Sequence, residues 1–98
     1  MSKFGELIDS ETPVLLDFFK EENAQSTAMH PVLREVAATL GDKVKVIKID
    51  IEKNEALADA LRVKGLPTLI IYKDGEMKWR EIGPQDAHTL ITIIEQYF

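Results

Sequence analysis

Apolar and polar positions alternate along this chain with two different periods, and the switches between them mark out its elements. Phe4, Leu7 and Ile8 stand at i, i+3 and i+4, the spacing of one helix face. Pro13 ends that pattern, because the residue before a proline disfavours the helical region. The run "VLLDFF" (14–19) is almost unbroken and predicts a strand buried on both faces, with Asp17 as its single acid. Met29, Val32, Leu33, Val36, Ala37 and Leu40 then form one full helical face closed by Gly41. Pro31 lies inside that face; it removes a backbone hydrogen bond and predicts a kink, or a later start to the regular helix.

"KVKVIKIDI" (43–51) alternates branched aliphatics with lysines and an aspartate, which predicts a second strand. "NEALADALRV" (54–63) puts Leu57, Ala58 and Leu61 on one side of a short helix, with Asn54 as its expected cap. "TLIIYKDGEMKWREI" (68–82) reads as two strands around Asp74-Gly75, a pair that accepts positive φ at both turn positions and so signals a hairpin. Ala87, Leu90, Ile91, Ile94 and Phe98 give a C-terminal helix with an apolar stripe. A leading helix followed by β-α-β-α-β-β-α is an α/β pattern. It predicts a mixed sheet, with a parallel half joined by right-handed crossovers and an antiparallel hairpin, covered by helices on both faces. The strand order does not follow from the pattern. With no repeat or linker in 98 residues, a single domain over 1–98 is expected.

Composition narrows the chemistry. With 12 basic and 17 acidic residues, the formal charge of −5 gives no sequence-wide attraction to phosphate backbones or anionic lipid, so neither nucleic-acid nor membrane binding is expected. No run of about 20 apolar residues occurs, and "MSKFGELIDSETP" lacks the basic-then-apolar layout of a secretory signal. A cytoplasmic location is the expectation, although these residues do not address a leader removed upstream. There are no cysteines. Disulfides, zinc–thiolate sites, iron–sulfur clusters and thiol catalysis by this chain are therefore excluded.

"PVLLDFF" followed by "HPVLREVA", and "VKVIKIDIEKNEALADALRVKGLPTLIIYKDGE" with its "GLPT" loop, resemble the thioredoxin family over nearly the whole chain. The resemblance implies the thioredoxin fold with a central mixed four-stranded sheet, the family's usual leading strand being absent or too short to see. It also implies a cis bond before Pro67, packed opposite the start of the active-site helix. The departure lies in that helix's leading loop. Thioredoxins carry Trp-Cys-Gly-Pro-Cys where this chain has Glu22-Asn23-Ala24-Gln25-Ser26. The loop length is kept and the sulfurs are gone. The Trp, Gly and Pro positions have changed too, a broader departure than a knock-out of cysteines alone.

Thiol–disulfide exchange needs an attacking thiolate and a resolving thiol. Asn23 carries no nucleophile, and an unactivated serine hydroxyl at Ser26 is neither ionised near neutral pH nor able to form a disulfide. Asp17 and Lys48 stand where the family keeps a buried acid and its neighbouring lysine. They are expected as an inherited, self-satisfying charge pair, with retained acid/base work through Ser26 as the alternative. Asn23 and Ser26 near a helix N-terminus are expected to cap it rather than to bind an anion.

His30 and His88 lie in different helices without a second ligand at helical spacing, so no metal site and no cofactor are expected. Trp79 is expected as a packed sheet residue, and Tyr97-Phe98 as a helix end folded onto its own domain. What remains is the groove that the resemblance implies, formed by Glu22, Asn23, Ala24, Gln25, Ser26, Leu66, Pro67 and Gly83. It predicts a binding module for an unidentified protein or peptide, monomeric or weakly dimeric, with Glu22 steering it toward basic or polar partners. Two alternatives stand beside it: an enzyme acting on glutathione or another thiol brought by the substrate, and a structural subunit tied to redox homeostasis by descent only.

Overall fold

The sheet is built outward from strand β1 (Val14–Phe19), every residue of which is buried. Its neighbours are β2 (Lys45–Asp50) on one side and β3 (Thr68–Lys73) on the other, with β4 (Glu76–Ile82) beyond β3, giving the order β2-β1-β3-β4. The computed structural model describes residues 3–98. β2 runs parallel to β1, while β3 and β4 are antiparallel to their neighbours, as a crossover followed by a hairpin dictates. The four-stranded mixed sheet expected from the pattern is thus present.

Among the described residues, five α-helices flank it: α1 (Lys3–Ile8), α2 (Ala24–Thr27), α3 (Met29–Leu40), α4 (Glu55–Ala60) and α5 (Ala87–Glu95). Because strand side chains alternate, β1 feeds two cores. Leu15, with Leu69 and Ile71, packs under α3 and α5 through Leu33, Val36, Leu90 and Ile94. Val14, Leu16 and Phe18, with Ile70, pack on the opposite face against Ile8, Phe4 and Leu57. Each such side chain contributes on the order of 2 kcal/mol by leaving water, and that burial rather than local propensity fixes a six-residue strand.

The hairpin turn places Asp74 at φ 54° and Gly75 at φ 80°, as the Asp-Gly pair predicts. The helix broken by proline divides at Ala28. Pro31 has no N–H to offer the carbonyl of Thr27, so the regular part begins at Met29.

Two local expectations fail. Asn54 occupies the N-cap position of α4 without capping it; its side-chain amide donates instead to the Asp50 carbonyl at 2.9 Å. Phe98 lies outside the apolar stripe of α5, 52 % exposed with the Lys43 Nζ 5.8 Å from its ring centroid. Tyr97 takes the inward place and donates from its hydroxyl to the Lys78 carbonyl at 3.2 Å.

Candidate functional site

The candidate residues converge on one end of the sheet because the strand directions bring them there. β1 ends at Phe19, in register with Asp50 at the end of β2. Thr68, at the start of antiparallel β3, pairs with both Phe18 of β1 and Ile82 at the end of β4. The loop from Lys20 to Asn23, the Leu66–Pro67 segment before β3 and Gly83 after β4 must therefore share that edge.

Two backbone features define it. The Leu66–Pro67 peptide bond is cis, and the Pro67 carbonyl accepts from the Gly83 N–H at 2.8 Å. Gly83 has φ 104°, where a Cβ is strained even though space for one exists. Leu66 is half-buried, and its own N–H and C=O find no partner among the described residues. Pro67 is buried, so the unpaired backbone of Leu66 is what this loop offers at the surface.

Opposite, the Asn23-Ala24-Gln25-Ser26 loop is a helix start and nothing in it is poised to react. Asn23 caps α2 from an extended backbone, its Oδ1 accepting from the Ser26 N–H at 2.7 Å. Ser26 turns inward and is fully buried. Its hydroxyl accepts from the Lys20 N–H at 3.2 Å and donates toward the Asn23 carbonyl at 2.9 Å or the Lys20 carbonyl at 3.2 Å. That hydroxyl ties the end of the β1 loop to the first helical turn. The placement of Ser26 in the groove surface is corrected accordingly: it supports the wall from beneath, while Glu22, Ala24 and Gln25 are exposed and Asn23 is half-buried.

These bonds carry a direct expectation. Asn23→Ala should cost about 1 kcal/mol as a lost cap, and Ser26→Ala about 1–3 kcal/mol because the part-buried Lys20 N–H loses its acceptor. Urea denaturation of both variants checks the order; equal, negligible losses would show that the hydroxyl is not structural.

Asp17 and Lys48 do stand opposite each other in the β1–β2 register. They do not form a buried pair: Asp17 is fully buried, Lys48 is exposed, and no ion pair joins them among the described residues. β2 is an edge strand, so Lys48 can reach water and does. Neither carboxylate oxygen of Asp17 has a hydrogen-bond partner among the described residues. Burial pushes its carboxyl up to about 7, with the Lys48 charge acting the other way. His30 packs edge-on to Phe19, ring centroids 4.8 Å apart. Burial holds its imidazole below the usual range, aided by Lys48 and Arg34 and opposed by Glu21. Trp79 packs on the core from β4, and His88 is exposed on α5.

The buried Asp17 was visible in "LLDFF"; the role of Lys20 as a backbone partner of Ser26 carried no sequence signal. Among the described residues, no cluster of three or more His, Cys, Asp or Glu is arranged to hold a metal ion, and no helix is long and apolar enough to cross a membrane.

Known proteins share this framework. The thioredoxin family model matches residues 1–96. Thioredoxin Y of the Oryza sativa chloroplast is 43% identical over 95 residues, covering 96% of this chain and 56% of that protein. The chain thus spans a little over half the length of that chloroplastic relative. Thioredoxin C-2 of Corynebacterium nephridii is 34% identical over 92 residues, covering 94% of this chain and 85% of that one. In structure, a mutant thioredoxin from Halobacterium salinarum superposes with a TM-score of 0.86 at 33% identity, covering 99% of this chain and 84% of the other. With that sheet, that proline loop and no cysteine anywhere in its sequence, the chain belongs to the thioredoxin family as a member without the Cys-x-x-Cys motif.

Proposed function

We propose that this chain is a peptide-binding module that has kept the docking edge of its fold and given up dithiol chemistry. One observation carries the reading: Leu66 presents a backbone N–H and C=O at the sheet end that are unpaired among the described residues, beside a loop whose Asn23 and Ser26 side chains are spent on holding it in place. An extended segment can hydrogen-bond to Leu66 as a strand adds to a sheet edge. Exposed Glu21 and Glu22 then select cationic residues in that segment, mainly through association rate and specificity. Ser26 is a poor centre for an enzyme acting on a substrate thiol, because its hydroxyl is buried and already engaged at both its donor and acceptor sides.

Selection from a displayed random-peptide library tests this. The expected winners are extended and cationic, shift the amide resonances of Leu66 and Gly83, and bind about tenfold more weakly to Glu22→Lys. Winners that are indifferent to Glu22→Lys and leave Leu66 unshifted would remove the proposal.

A further inference from the structure

The loop that carries Leu66 leaves α4 through a turn its own residues do not favour. The carbonyls of Ala58 and Asp59 accept from the N–H groups of Val63 at 2.9 Å and Arg62 at 3.0 Å, the pattern in which the residue after the C-cap turns left-handed. Glycine usually fills that place. Here it is Arg62, at φ 55°, so a Cβ is held where it crowds the backbone.

We infer that Arg80 is a positioning residue for the Leu66 edge, its guanidinium latching this turn from β4 and so fixing where the loop presents its backbone. That role rests on the docking reading only for what Leu66 is used for; how Leu66 is held stands on the geometry.

The latch is a two-point contact. Arg80 Nη1 donates to the Leu61 carbonyl at 2.6 Å and Nη2 to the Arg62 carbonyl at 2.9 Å. Bonds from a charged donor are stronger than neutral ones, and the planar fork holds two successive carbonyls in one fixed relation. The strand register aims it. Arg80 stands opposite Ile70, so its side chain lies on the sheet face that α1 and α4 cover.

The same strand fastens the rest of the loop. Ile82, two residues on and on the same face, lies so close to Gly65 that a Cβ there would come within 2.8 Å of its Cγ2. The Gly83 N–H reaches the Pro67 carbonyl, and from β3 the Thr68 hydroxyl donates to the Gly65 carbonyl at 2.5 Å. The loop is thus held at its middle and exit as well as its entry, and the strained entry depends on Arg80. Leu66 has no backbone bond of its own among the described residues. Its orientation is set by these fastenings.

The test compares the natural chain with Arg80→Met and Arg80→Lys. Two quantities are read: the amide order parameters of Lys64 to Leu66 by ¹⁵N relaxation, and affinity for an acetylated, amidated hexapeptide of alternating lysine and valine. In Arg80→Met the Leu66 order parameter is expected to fall from about 0.85 toward about 0.6. Affinity should fall about fivefold, because the loop spends a smaller fraction of its time in the binding geometry. Charge alone predicts the opposite sign, since removing a cation favours a cationic peptide. Arg80→Lys keeps the charge but lacks the fork, so it should resemble Arg80→Met. Adding Arg62→Gly to Arg80→Met lets the turn stand without the guanidinium and should restore both readings. Arg62 is exposed, so water can replace the lost donor there and the fold should persist, which urea denaturation checks.

The latch is overturned if Leu66 keeps its order in Arg80→Met, if affinity rises, or if Arg80→Lys matches the natural chain. It is also overturned if Arg62→Gly raises stability to urea without restoring Leu66. A natural chain that ignores the peptide, yet loses order at Leu66 in Arg80→Met, would remove the docking reading and support the latch.

Discussion

Replacing Asp17 by asparagine is expected to stabilise the protein by on the order of 3–4 kcal/mol near pH 8 and by almost nothing near pH 3.5. The sign follows from where the proton sits. In the unfolded chain the carboxyl ionises around its ordinary 3.8; in the fold, burial holds it protonated up to about 7. Between those values the unfolded state releases a proton that the folded state keeps, so rising pH favours unfolding. The contribution of Asp17 is therefore least unfavourable below about pH 4, worsens through the interval up to about 7, and is flat above it. Asparagine fills the same space without ionising, and like the protonated acid it leaves buried polar atoms without protein partners. The difference between the two chains isolates the ionisation and cancels the other carboxylates. For a chain of this size such a gain raises Tm by on the order of 15 °C near pH 8. Chemical denaturation across the pH range decides the matter. A gain that does not vary with pH would mean that Asp17 does not titrate between the folded and unfolded values, and the assigned burial cost would be wrong.

A fully buried acid without a hydrogen-bond partner among the described residues, in a chain whose adjoining helix has no thiol to exchange protons with, locates what could and could not be read in the sequence. The strand around Asp17 announced its burial through unbroken apolar neighbours, and the hairpin announced itself through Asp74-Gly75. The break at Ala28 was legible because a proline missing an N–H has one local effect. Lys48 was misplaced for a different reason. Its sequence neighbours specify a strand, but not that the strand would be an edge, and only an edge lets a lysine beside a buried acid turn to water. Ser26 failed in the same way. Serine after an N-cap can point outward or fold back onto Lys20, and the choice depends on how the β1 loop meets the helix, which no local pattern records. Leu7 shows the limit from the apolar side: helical spacing puts it with Phe4 and Ile8, yet among the described residues it remains 37 % exposed.

Placing a thiol at both positions, with Asn23→Cys and Ser26→Cys in one chain, is expected to convert a protein without dithiol chemistry into a disulfide reductase. Insulin reduction followed by turbidity, with dithiothreitol as terminal reductant, should show the natural chain at background and the double variant well above it. The geometry allows it. The two positions are three residues apart across the Asn23-capped first turn, where Cα atoms lie about 5–6 Å from one another, within the range a disulfide spans. A thiol at position 23 is half-exposed at a helix start, which lowers its pKa and makes it the attacking group. One at position 26 is buried behind it and can resolve the mixed disulfide. Asn23→Cys alone should form mixed disulfides that do not turn over, because nothing resolves them. Losing the Asn23 cap and the Ser26 hydroxyl bridge should lower stability by roughly 2 kcal/mol, and this must be measured alongside the rate so that unfolding is not mistaken for inactivity. Activity in the double variant would show that the proline loop and sheet end still present a disulfide-bearing segment correctly, so that the loss of function lies in two side chains. A double variant that folds and closes its disulfide, yet reduces nothing, would mean that the acidic stretch at Glu21 and Glu22 has changed what this edge accepts. Reductase activity in the natural chain, purified free of contaminating thioredoxin, would overturn the assignment of a chain without dithiol chemistry.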